Sequence, residues 1–192
     1  MLKNPILTSR FNNDTFEENT IFREKRTDIG CIYGSPSMLN DTYELNSLYF
    51  VMEMNNELNR VEGIGLITNY AILSDVQYNI YKDQNYNRYI YKGKYRLNRD
   101  IIERQNPVLL DMFDNILFKG KTHLKRSPGF VKITKKLYNK DICKIAVVTD
   151  FGLGQDIVNE EDKSHIIKDL DASIVEVTIK KEIVQLFKTY FR

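Results

Sequence analysis

Tryptophan is absent from this 192-residue chain, and cysteine and histidine occur only twice each. Without close Cys or His spacing there is no metal site to assign. Neither His123 nor His165 stands in a recognisable motif with a Ser or Cys nucleophile, which leaves no triad. Cys31 and Cys143 lie in the apolar contexts IGCIY and DICKIAVV, as buried free thiols of a reducing compartment do. No apolar run approaches the roughly 18 residues of a membrane span. The opening MLKNPILTSRFNND has no signal-peptide core. The expectation is a soluble cytoplasmic protein with no cofactor, no metal and no membrane partner. With four prolines and nine glycines, each backbone break is informative.

The residues that are plentiful are unevenly placed. Apolar residues make up 42%, ordinary for a chain long enough to bury a core, and the length suits one domain. Tyr, Asn, Ile and Lys are abundant, a bias that AT-rich coding DNA also produces. Six of the twelve tyrosines fall between Tyr78 and Tyr95, interleaved with Lys82, Arg88, Lys92, Lys94 and Arg96. From Lys119 to Lys140 come eight lysines and arginines with no acidic residue among them. The net charge of +2 conceals this clustering. Aromatic faces that stack on bases, beside cations that neutralise phosphates, suit a nucleic-acid surface.

Residues 1–28 are polar without sustained periodicity and read as an irregular arm, followed by a single α+β domain over 29–192. Leu48–Met54 and Arg60–Thr68 are apolar, β-prone runs separated by NNELN, a hairpin signature. Gly63 and Gly65, two apart, leave one strand face open to close approach. Tyr86–Leu97 alternates, so one strand would bury Tyr89, Tyr91 and Tyr95 and present Lys92, Lys94 and Arg96. Tyr78, Tyr81 and Tyr86 lie outside that alternation and are the stacking candidates. Asp100–Phe118 reads as helix broken at Asn106-Pro107. Cys143–Thr149 reads as a buried strand, Glu160–Leu170 as a short helix, and Ser173–Phe191 as a closing amphipathic helix.

The segment KGKTHLKRSPGFVKITKK places Lys119, Lys121, Lys125 and Arg126 around His123, with Ser-Pro-Gly turning the backbone. Such a loop grips phosphate. Other motifs dissolve on context. Asp150-Phe151-Gly152 matches the kinase magnesium motif, but no Gly-rich loop, strand lysine or HRD precedes it. The surrounding VVTDFGLGQD is similar to the opening of enzymes that hydrolyse S-adenosylmethionine, whose domain is several times longer than the remainder of this chain. Glu53 and Glu62 flank the hairpin as candidate cross-strand neighbours, a weak acid–base pair on their own.

The hairpin also resembles the PUA-like superfamily, which includes the YTH, ASCH and EVE domains. Asn56, Gly63, Gly65 and Ile67 reproduce the YTH spacing of Asn, polar loop and aromatic-x-Gly-x-Ala-x-apolar strand, over about twenty residues. Those domains hold methylated adenosine in a cage containing tryptophan, which this chain lacks. Over roughly residues 30–130 the chain is also similar to uncharacterised proteins of large cytoplasmic DNA viruses, which implies a host-cytoplasmic or virion location. The resemblance implies a mostly antiparallel PUA-like sheet or partly closed barrel with flanking helices. The function expected is non-catalytic binding of RNA or single-stranded DNA. A viral structural or protein-interaction component is the alternative.

Overall fold

The computed structural model describes residues 3–73, 76–125, 129–153 and 159–191. The protein is α+β and divides into two compact units: Lys3–Arg99 with Leu124–Lys132, and Asp100–His123 with Ile133–Arg192. All described strands belong to the first unit.

The residues expected to form an irregular arm open the first unit. β1 (Leu7–Phe11) is followed by α1 (Asn13–Glu24). Five residues are too few to display a period, but Leu7 and Phe11 are buried. Helix α1 starts at a capping box: Thr15 N–H donates to Asn12 Oδ1 at 2.8 Å, and Asn12 N–H donates to Thr15 Oγ1 at 3.0 Å. Its apolar face is thin, with only Asn19 and Phe22 buried, so hydrophobic periodicity gives it no signal.

β2 (Cys31–Ser35), β3 (Leu48–Asn55) and β4 (Arg60–Thr68) come next, the last two forming the expected hairpin. Asn59 adopts φ +55° in its turn, a conformation asparagine tolerates better than most residues. β5 (Ile72–Leu73), β6 (Tyr89–Gly93), β7 (Tyr95–Asn98) and β8 (Val131–Lys132) complete the strands. One sheet has the order β7-β4-β3-β1-β8, the other β2-β6-β5. Pairing is antiparallel except between β1 and β3, which run parallel from Leu7 opposite Val51 to Phe11 opposite Asn55. Among the described residues the sheets stay open, with no closed barrel. The alternating Tyr86–Leu97 stretch is not one strand. Gln84–Asn87 is a 3₁₀ turn, and the chain changes sheet at Lys94.

The glycine face of the hairpin is tightly approached, as its spacing predicts. A Cβ on Gly65 would sit 2.1 Å from Tyr33 Oη, and one on Gly63 2.7 Å from Leu97 O.

The second unit is helical. α2 (Arg99–Gln105) and α3 (Pro107–Phe118) divide where the proline predicts, with Asn106 Oδ1 capping Leu109 N–H at 2.9 Å. α4 (Lys135–Tyr138), α5 (Asp141–Thr149), α6 (Glu160–Asp169) and α7 (Ala172–Tyr190) complete it. The predicted strand Cys143–Thr149 is therefore a helix. Its buried Cys143, Ala146 and Val147 are spaced i, i+3, i+4, and a short apolar run does not separate the two periods. Lys140 Nζ donates to Ile116 O and Lys119 O, satisfying carbonyls at the end of α3. No described helix is long and apolar enough to cross a membrane.

Candidate functional site

A cleft of about 630 Å³ opens in the strand-bearing unit. Its walls come from the end of β1 (Arg10), the cap of α1 (Asn12), Gly34 of β2, the hairpin turn (Asn56), the 81–86 segment (Tyr81, Asp83, Tyr86) and Lys125. The walls hold one another. Asn56 N–H donates to Phe11 O at 2.8 Å, joining the hairpin turn to the end of β1.

Arg10 is the cleft's cation. Its Nη2 donates to Gly129 O at 2.5 Å and its Nη1 to Leu124 O at 3.3 Å. Partial burial pushes its pKa below the ordinary arginine value. Among the described residues no carboxylate pairs with it. Lys125 adds a second cation, with its ammonium on Asn59 Oδ1. Asp83 is the acid of the lining, and its carboxylate is engaged in accepting from Asn85 N–H at 3.0 Å.

Two tyrosines form the aromatic side. Tyr81 is buried, and its hydroxyl accepts from Asn19 Nδ2 at 2.9 Å. Asn19 also donates to Ile32 O at 2.6 Å and accepts from Arg23 Nε at 2.8 Å, so its amide ties α1, β2 and Tyr81 together. Desolvation pushes the Tyr81 hydroxyl pKa well up, keeping it a neutral donor or acceptor. Tyr86 is half-buried and meets Tyr81 edge-on at 6.2 Å between centroids. Asn87 shapes the segment by accepting from Ile80 N–H and Tyr81 N–H, both at 3.0 Å. Gly34 permits the approach of Tyr86, whose carbonyl oxygen would lie 2.0 Å from a Cβ there.

The residues expected from sequence are dispersed by the fold. Tyr81, Tyr86 and Lys125 meet at the cleft. Tyr78, expected to stack, is buried, and Lys92 covers it, its Nζ donating to the hydroxyl at 2.8 Å. Arg96, expected on an exposed stripe, is buried against Glu53: Nε donates to Oε1 at 2.8 Å and Nη2 to Oε2 at 2.6 Å. The reason is the open face at Gly63 and Gly65, which draws the side chain inward. Tyr95, expected to be buried, is exposed, as is neighbouring Lys94. Lys119 and Lys121 are exposed and His123 half-buried, all in the helical unit. Arg126 lies outside the described residues.

Burial alone would raise the pKa of Glu53, but the Arg96 charge and its hydrogen bonds, with Arg23 and Tyr33, hold it below the ordinary carboxylate value. Burial works against the Arg96 charge, and the Glu53 carboxylate outweighs it. Glu53 and Glu62 are not an acid–base pair. Glu53 faces Gly63 across the ladder beside a β-bulge, while Glu62 accepts from Arg60 Nε at 2.9 Å and Asn55 Nδ2 at 3.3 Å. Cys31 and Cys143 are buried free thiols, each pushed up to about 12 by desolvation first of all. Among the described residues no group of three His, Cys, Asp or Glu could hold a metal.

Sequence reasoning missed Arg10, Asn12 and Gly34. The signal available was the N-x-x-T capping box directly after ILTSRF, which marks a strand-to-helix turn. Neither family models, curated proteins nor solved structures give a match to this chain.

Proposed function

We propose that the strand-bearing unit is a PUA-like, non-catalytic module that binds single-stranded nucleic acid, RNA or DNA, in the cleft. Arg10 carries the reading. Among the described residues this partly buried cation is held by carbonyl oxygens and has no carboxylate partner, and an incoming phosphate supplies a counter-charge. Lys125 adds a second positive charge and Tyr86 an aromatic face for a base. Lys94 is exposed beside Tyr95 in the same unit and offers a further cation for a phosphate of a longer strand.

Fluorescence polarisation with a labelled single strand tests the reading. Wild type binds at low salt, and its affinity falls as salt rises. Arg10→Gln weakens binding about tenfold, the size of a lost charge-assisted hydrogen bond, provided its melt shows it folded. Absence of binding at low salt, or equal affinity for the Gln variant, would end the proposal.

A further inference from the structure

The helical unit carries a groove of its own, between α5 and α6, of about 520 Å³. Asp141 and Thr149 line it from the two ends of α5, a span of about 12 Å at 1.5 Å per residue. Its middle is apolar. Ile145 of α5 lines it although 46% exposed, joined by half-buried Ile167 of α6.

Lys144 is the anomaly in the lining. It is only 8% exposed, yet its ammonium makes one described hydrogen bond, to Lys168 O at 3.2 Å. That bond satisfies a carbonyl in the last turn of α6 and leaves two of the three N–H donors for another group. Among the described residues no carboxylate pairs with Lys144. Asp171 feels its charge at a distance, but that carboxylate caps α7 by accepting from Ser173 N–H at 2.7 Å. Buried lysines are almost always paired. Lys168, exposed on α6, brings a second cation to the groove.

We infer that this groove docks an acidic segment of a partner protein, with an apolar side chain resting on Ile145 and Ile167 and a carboxylate meeting Lys144 and Lys168. The site is separate from the cleft and does not depend on the nucleic-acid reading. The cations call for an anion and the isoleucines for an apolar neighbour, and an amphipathic polypeptide carries both on one short stretch. Asp141, Ile145, Thr149, Ser164 and Lys168 are all exposed, so the groove is a surface trough. That suits a chain lying along it better than a small ligand, which needs enclosure. Among the described residues no aromatic side chain lines it, so a nucleic-acid strand finds no surface for stacking.

Fluorescence polarisation with three labelled helical peptides, each about three turns long, tests the inference. The first has leucines on one face flanked by glutamates. The second replaces those leucines by alanine, and the third replaces each glutamate by lysine. Wild type binds the first about tenfold more tightly than either control. Lys168→Glu and Ile145→Ala change exposed positions and melt like the parent. Lys168→Glu binds the first peptide about tenfold more weakly and the lysine peptide more tightly than wild type does. Ile145→Ala no longer separates the leucine peptide from the alanine one. Arg10→Gln, altered in the cleft, binds all three as wild type does. No binding of the first peptide, equal affinity for the three, or a Lys168→Glu variant that behaves like the parent overturns the inference. So does displacement of the bound peptide by a single-stranded oligonucleotide, or loss of peptide binding in Arg10→Gln. If a variant fails to fold, the other variant and the wild-type comparison across peptides decide.

Discussion

A carboxylate as deeply buried as that of Glu53 persists because Arg96 meets both of its oxygens and the Tyr33 hydroxyl donates to it at 2.7 Å. Arg96→Met should therefore destabilise the fold by about 3–5 kcal/mol, since it strands a buried charge. Replacing Glu53 and Arg96 together by Leu and Met should cost clearly less, because no charge is left behind. Urea melts of the single and double variants measure the difference, and equal losses would show that the pair is not coupled. The pH dependence has a definite sign. The folded pKa of Glu53 lies below its ordinary value of 4.5, so its contribution is present above that value and fades as pH falls through the folded pKa. The double variant should show a shallower acid limb. None of this was legible in YNRYIYKGKYRL, where Arg96 shares parity with Lys92 and Lys94. Alternation fixes which side of a strand a residue takes, but not whether a buried acid waits there.

The hairpin is the element the sequence reveals most fully, because strand propensity, an Asn-rich turn and paired glycines all agree. Gly65→Val should cost at least the roughly 1–3 kcal/mol of ordinary overpacking, since its Cβ would meet the Tyr33 hydroxyl and the Cys31 side chain. Unaltered thermal melting of the valine variant would contradict the packing described. Asn12→Ala removes the capping box of α1 and should lose about 0.5–2 kcal/mol, read by the same melts. Elements without a strong hydrophobic period were hidden. α1 buries too few side chains to show one, and α5 buries so many that its run passes for a strand. The cleft was half legible. Tyr81, Tyr86 and Lys125 belong to conspicuous clusters, whereas Arg10 and Gly34 matter only because the fold brings β1 and β2 to them.

Across the whole molecule, a net charge of +2 says little about binding, because 28 basic residues stand against 26 acidic ones. What matters is which cations a strand can reach. The basic run Lys119–Lys140, continuous in sequence, is divided by the fold: Lys119 and Lys121 belong to the helical unit, Lys125 to the unit that holds the cleft. Each phosphate contact on a single strand contributes roughly 0.7 to the slope of log affinity against log salt. Replacing Lys94 and Lys125 by Ala should therefore reduce that slope by about 1.4, if each lysine meets one phosphate. Replacing Lys119 and Lys121 should leave it near the wild-type value, although the change in net charge is the same. Lys180 would be a poor control, being buried and 2.6 Å from Glu176, so its loss would disturb packing instead of surface charge. Polarisation titrations over a range of salt distinguish the outcomes. Equal drops from the two pairs would mean diffuse attraction by positive charge wherever it lies. A drop confined to Lys94 and Lys125 ties binding to the unit that holds Arg10, Tyr86 and Asn56.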